Sequence, residues 1–192
     1  MPIFERKPST MDVKELELKG VFEITPKVFK DDRGFFFEAF NADAFKRSGI
    51  PYEFVQDNQS FSKKGVVRGL HFQRAPFPQG KLVRVLSGKI IDVIVDLRKD
   101  SSTFGKSLQI PISSDIGNMV YVPVGFAHGF VAIEDAVLFY KCTNGYDKAS
   151  DGGLRWNDPA LNIHWDLREE PILSDKDMTL PFLKDIINDL AF

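Results

Sequence analysis

Lys81-Leu-Val-Arg-Val-Leu86, Ser87-Gly88 and Lys89-Ile-Ile-Asp-Val-Ile-Val-Asp-Leu97 form the stretch from which the fold is read. Both arms alternate about a Ser-Gly turn, the pattern of a β-hairpin. In the second arm Ile91, Val93, Val95 and Leu97 share one face, while Asp92 and Asp96 fall on the other. Further short β runs are expected at 18–24, 34–40, 53–60, 66–73, 107–112, 118–122, 129–133 and 137–143. Glycines, prolines and Asn/Asp/Ser clusters separate them. Many short strands at this spacing predict a mainly β fold, a sandwich or barrel rather than alternating βα units.

Two helices interrupt the strands. Asn41 is placed to cap a short helix through Arg47, with Gly49 and Pro51 ending it. Pro181 suits the first helical position of a C-terminal segment, Phe182 to Leu190. A chain of 192 residues fits one domain with a substantial core. Residues 1–15 are polar and are expected to be a mobile tail or an arm that pairs with a neighbouring subunit.

Composition narrows the function. A net charge of −2 presents no basic face for nucleic acid or acidic lipid. No apolar run reaches the length of a membrane span, and the N-terminus lacks the apolar stretch of a secretory signal. The single cysteine, Cys142, excludes an internal disulfide framework, so a cytoplasmic location is expected. The 18 phenylalanines read first as core packing, with part of that surface available for dimerisation.

The spacing of His71 and His128 among the glycines and prolines around them resembles the two histidine motifs of the cupin superfamily. Gln73 stands where a second histidine ligand is usual, and Lys81 where a glutamate is usual. An ammonium repels a divalent metal and offers no lone pair, so no metal is expected. With His71 inward, Gly69 and Gln73 share its face; Lys81 shares a face with Val83 and Val85, and Tyr140 with Leu138 and Cys142. His128 is expected at a strand mouth just past Gly125. Taken singly, each has an ordinary structural reading, and His164 keeps that reading. Together they supply a base, an oxyanion-stabilising cation and an acid, the set for proton abstraction next to a carbonyl.

Four blocks carry a closer resemblance: Asp31-Asp-Arg-Gly-Phe-Phe-Phe-Glu38, Val55-Gln-Asp-Asn-Gln-Ser60, Arg68-Gly-Leu-His-Phe-Gln73 with Gln79-Gly-Lys-Leu-Val-Arg84, and Pro123-Val-Gly-Phe-Ala-His-Gly-Phe130. With Phe139-Tyr-Lys141, Arg155-Trp-Asn-Asp-Pro159 and Pro171-Ile-Leu-Ser-Asp-Lys-Asp177, they closely resemble the dTDP-4-dehydrorhamnose 3,5-epimerase family over roughly residues 17–183. The resemblance implies a cupin-type jelly roll and inversion of C3 and C5 of a 4-keto-6-deoxy sugar. It implies that His71 is the base paired with Asp177, Tyr140 the acid on the opposite face, and Lys81 the enolate stabiliser. Ser174 and Asp177 also read as a helix capping box. Arg33, Arg68 and Lys176 are implied to hold a diphosphate, with Glu38, Gln56, Asp57, Asn58 and His128 lining the nucleotide and sugar pocket and Tyr146 stacking on thymine. A homodimer that exchanges the Arg-Gly-Phe-Phe segment is implied, and no cofactor.

Two positions depart from the family pattern. Gln59 stands where many relatives carry histidine and removes a polar contact expected near the base; Gly145 stands where some carry a second aromatic before Tyr146. The competing expectations are a 3-epimerase, an epimerase of another nucleotide-linked 4-keto sugar, a metal-dependent cupin and a non-catalytic sugar-nucleotide binding module.

Overall fold

The computed structural model describes residues 11–51 and 53–192. Its N-terminal half contains β1 (Met11–Glu15), β2 (Phe22–Pro26), β3 (Phe29–Asp31), β4 (Gly34–Phe36), α1 (Ala42–Arg47), β5 (Gln56–Ser62), β6 (Val67–Gln73), β7 (Lys81–Ser87) and β8 (Lys89–Asp96). There follow β9 (Ser107–Ser113), β10 (Met119–Val122), β11 (Phe126–Ala132), β12 (Ala136–Cys142), β13 (Asp151–Gly153), α2 (Asp175–Thr179), α3 (Leu183–Ile186) and a 3-10 turn at Ile187–Asp189.

The strands build a six-stranded sheet in the order β1-β2-β10-β7-β12-β5 and a five-stranded sheet in the order β13-β6-β11-β8-β9. The hairpin expected at Ser87-Gly88 does not form. β7 lies between β10 and β12 in one sheet, and β8 lies between β11 and β9 in the other. The stretch from Lys81 to Asp96 is therefore one polypeptide path bent between two sheets at Gly88. Gly88 has φ +83, and a Cβ there would lie 2.1 Å from the Asp135 carbonyl oxygen, so only glycine fits the corner. The inward-facing parity changes across it, from Val83 and Val85 to Ile90 and Ile94. Alternation revealed the strands but not their partners, because it reports faces rather than neighbours.

The two sheets stack with one apolar layer between them. Val83, Val85, Val120, Val122 and Leu138 of the larger sheet meet Ile90, Ile94, Ile110, Ile112, Phe126 and Phe130 of the smaller. Burying each such side chain contributes about 1.5–3 kcal/mol. The outer face of the smaller sheet is also covered: Val67, Leu70, Phe72, Val93, Val95 and Leu97 pack against Leu154, Trp165, Leu183 and Ile186. Ile24, Leu82 and Met119 on the outside of the larger sheet pack against Phe45 and Ile50 at and after α1. A strand apolar on both faces follows from a sheet covered on both sides, and Asp92 thus lies in the interior on the face shared with Ile90 and Ile94.

Other expectations hold or shift locally. Asn41 caps α1, its side chain accepting from the Ala44 N–H. Pro181 is not the first helical residue: Phe182 is the N-cap, and the expected continuous helix is a four-residue α3 followed by the 3-10 turn. Of the arm expected over residues 1–15, residues 11–15 pair as β1 with β2 of the same chain, and 1–10 lie outside the described residues. Among the described residues no helix is long and apolar enough to cross a membrane.

Candidate active site

Between the sheets lies a cavity of about 310 Å³ lined by Ser60, Arg68, His71, Lys81, His128, Gly129, Phe130, Leu138, Tyr140, Ser174, Lys176 and Asp177. Its two long walls come from different sheets. His71 on β6 and His128 on β11 are cross-strand partners in the smaller sheet. Glycines make this juxtaposition possible: a Cβ on Gly129 would lie 2.5 Å from the Arg68 carbonyl oxygen, and the ladder shifts register between His128 and Phe130. Lys81 on β7 and Tyr140 on β12 face inward from the larger sheet, on adjacent paired strands.

His71 Nε2 lies 2.6 Å from Asp177 Oδ1. Asp177 arrives on α2, whose N-cap is Ser174. The serine oxygen accepts from the Asp177 N–H at 3.1 Å and its hydroxyl donates to Asp177 Oδ2 at 2.9 Å. Ser174 thus caps α2, but only this half of the capping box is present: the Asp177 carboxylate takes the Ser174 hydroxyl and His71, so the cap aims it at the imidazole. Burial pushes the Asp177 carboxyl up, but hydrogen bonds from His71, Ser174 and the Gly69 N–H, with attraction to the imidazole, outweigh it and hold the group below its ordinary value. A carboxylate on Nε2 fixes the neutral tautomer with its proton there, leaving the lone pair on Nδ1.

Burial lowers the Lys81 ammonium from its ordinary value, opposed by the Cys142 thiol, Asp151 and Asp92. Burial also raises the Tyr140 phenol, aided by Cys142 and opposed by Arg68, so the hydroxyl keeps its proton at neutral pH. Arg68 is steadied by its bonds to Ser62 Oγ at 3.0 Å and the Phe61 carbonyl at 3.1 Å. Lys176 pairs with Asp151 Oδ2 at the rim. His128 is a buried residue within β11 rather than at a strand mouth, and its Nε2 lies 2.7 Å from Asp92 Oδ1. Asp92 was read from sequence only by its face and not as the partner of His128, although a carboxylate flanked by Ile90, Ile91, Val93 and Ile94 in β8 was a usable signal.

The remaining candidates are not on the cavity wall. Arg33 is exposed on the separate β3–β4 pair and bridges to Asp31. Glu38 accepts from Asn41 Nδ2. Asp57 faces outward and pairs with Lys141. Gln56 and Asn58 bond each other, and Asn58 Nδ2 donates to the Cys142 sulfur. Tyr146 is exposed, its hydroxyl 3.3 Å from the same Asp151 oxygen that holds Lys176. Gln59 is exposed on β5, whereas its neighbour Ser60 lines the cavity, so the contact expected near the base is absent from this position. Gln73 is no ligand-like group; its amide bonds to backbone of the 77 and 145–147 segments. Among the described residues no group of three or more His, Cys, Asp or Glu side chains is arranged to hold a metal ion.

A jelly roll whose interior gathers a histidine–carboxylate pair, a half-buried lysine and a half-buried tyrosine belongs to the cupin-like acid–base isomerases. The family model described as dTDP-4-dehydrorhamnose 3,5-epimerase matches residues 15–185, and the chain belongs to that family. A relative named dTDP-4-dehydrorhamnose 3,5-epimerase from Shigella flexneri is 47% identical over 170 residues, covering 88% of this chain and 93% of its own. The structure of a dTDP-6-deoxy-D-glucose-3,5-epimerase from Legionella pneumophila, in complex with dTDP-4-keto-L-rhamnose, superposes with a TM-score of 0.87 at 41% identity, covering 91% and 93% of the two chains. A 3'-monoepimerase from Streptomyces bikiniensis, in complex with dTDP-quinovose, gives a TM-score of 0.86 at 32% identity, covering 91% and 89%.

Proposed function

We propose that this protein inverts C3 and C5 of dTDP-4-dehydro-6-deoxy-D-glucose, forming the precursor of dTDP-L-rhamnose. The observation that carries the reading is the His71–Asp177 pair facing the same cavity as Lys81 and Tyr140. The protons on C3 and C5 are both acidified by the C4 carbonyl. His71 Nδ1 accepts one of them, and the C–H electrons move into an enolate whose charge rests on the C4 oxygen. Asp177 stabilises the resulting imidazolium. The Lys81 ammonium stands against the oxyanion inside the cavity, where such a contact is typically worth ~10²–10³ in rate.

Inversion requires the proton to return from the other face. His71 belongs to one sheet and Tyr140 to the other, so an enolate between them meets the base on one side and the phenol on the opposite side. Tyr140 gives its proton to carbon, and solvent restores both groups. Arg68 and Lys176 hold the diphosphate and Tyr146 stacks on thymine, with His128 against the sugar. The active form is a homodimer in which Arg33 reaches the partner's pocket; exposed Phe35 and Phe36 beside it supply apolar surface for the contact.

Proton NMR of the substrate with the protein in deuterated water tests this reading. Deuterium is expected at both C3 and C5. Exchange at C3 alone would make the protein a 3-epimerase, the activity named for the Streptomyces bikiniensis protein of the same fold. Exchange at neither carbon would refute the activity.

A further inference from the structure

Gln73 stands two residues after His71 on the inward side of β6 and is only 4% exposed. Its Nε2 donates to the Phe77 carbonyl at 2.7 Å and to the Gly145 carbonyl at 3.1 Å, and its Oε1 accepts from the Asp147 N–H at 2.9 Å. The polar groups immediately before and after Tyr146 are thus held by one side chain. Gln56 Oε1 takes the Tyr146 N–H itself at 2.8 Å. Residues 145–147 belong to no helix or strand, so side-chain amides from β5 and β6 stand in for a ladder. The Tyr146 ring remains 59% exposed, with its hydroxyl tethered to Asp151 beside Lys176. A flat ring with a fixed backbone and an open face is a preorganised stacking platform.

We propose that Gln73 is a positioning residue for nucleotide recognition: by clamping Gly145 and Asp147 it holds Tyr146 ready for the base. The inference rests on the reading of Tyr146 as the nucleobase platform. Without the clamp the loop groups can bond to water, so the segment loosens while the fold persists. Ordering it then costs binding energy each time a nucleotide docks. The side chain bonds only to protein backbone, two of its three bonds flanking Tyr146 and the third tying the Phe77 carbonyl, so it acts on the ligand indirectly, by holding that ring in place.

Calorimetric titration of dTDP and of inorganic pyrophosphate into wild type, Gln73→Met, Tyr146→Ala and the double variant tests this. Gln73→Met should weaken dTDP about tenfold through lost preorganisation, with KM rising in step and kcat changing less than about threefold. Pyrophosphate, which has no base to stack, should bind all four proteins alike. In the Tyr146→Ala background, Gln73→Met should add less than about twofold, because the group it positions is gone. Unchanged dTDP affinity in Gln73→Met, equal weakening of dTDP and pyrophosphate, or independent multiplying effects in the double variant would each overturn the inference. If Gln73→Met does not fold, Gln73→Glu keeps the volume and the acceptor while losing both donors, and the same outcomes apply. Wild-type protein that fails to bind dTDP would overturn the functional reading and this inference with it; wild-type binding unaffected by Gln73→Met overturns the inference alone.

Discussion

Two histidine–aspartate pairs sit side by side on β6 and β11, and their differences matter more than their similar lengths. His71–Asp177 and His128–Asp92 are separated by 2.6 and 2.7 Å, and the two imidazoles are register partners. Asp177 is brought by a short helix from the far end of the chain, and its second oxygen is satisfied by Ser174. Asp92 belongs to a central strand, and its Oδ2 is buried without a partner. The His71 side chain is 29% exposed, that of His128 10%. The first pair is open to the cavity and fully supported, which suits a group that gains and loses a proton. The second is more enclosed, with His128 showing only a small part of its ring to the cavity, which suits a group that holds an orientation. In this account the first is the base and the second presents a fixed contact to the sugar.

The largest expected effect comes from removing the first imidazole. His71→Ala should reduce deuterium exchange into substrate by ~10²–10⁴ while dTDP still binds in calorimetry. His128→Ala should retain measurable exchange, and a reversal of that order would exchange the two roles. Next, Lys81→Met should lower exchange by ~10²–10³, because the enolate formed when His71 takes the proton loses the cation beside its oxygen. Tyr140→Phe should separate two readouts: solvent deuterium still enters, delivered and removed by His71 on one face, while NMR of the product shows no inversion.

The smallest effect concerns acid stability. The Asp177 carboxyl is held below its ordinary value of 3.8, so its contribution is fully present above that value and lost as pH falls through the lower folded value. The Tm gap between wild type and Asp177→Asn should therefore narrow on going from pH ~5 to pH ~2. A constant gap would mean that the carboxylate is not favoured in the folded site.

Much of the fold was legible where a residue's role is local. The Asn41 cap, the β runs and the shared inward phase of Lys81, Val83 and Val85 follow from side-chain chemistry and a period of two. The partnership of β7 and β8 did not follow. A Ser-Gly turn between alternating arms serves a hairpin and an inter-sheet corner equally, and only the covered faces of both sheets decide between them. His71, Lys81 and Tyr140 could be placed in one pocket from strand phase. Asp177 could not, since it lies 106 residues from His71 and arrives on a five-residue helix too short to leave a periodic signature. Its role was read from family blocks instead. Arg33, Glu38 and Asp57 came from the same source, and within one chain they sit away from the cavity.

The most direct test measures deuterium exchange for Asp177→Asn and Asp92→Asn side by side. Each substitution keeps the volume and removes the charge beside one imidazole. The account predicts that Asp177→Asn loses much the larger part of exchange, because the amide no longer stabilises an imidazolium at the base, while Asp92→Asn keeps the greater rate. Equal losses, or a greater loss in Asp92→Asn, would contradict the assignment of His71–Asp177 as the pair that moves the proton.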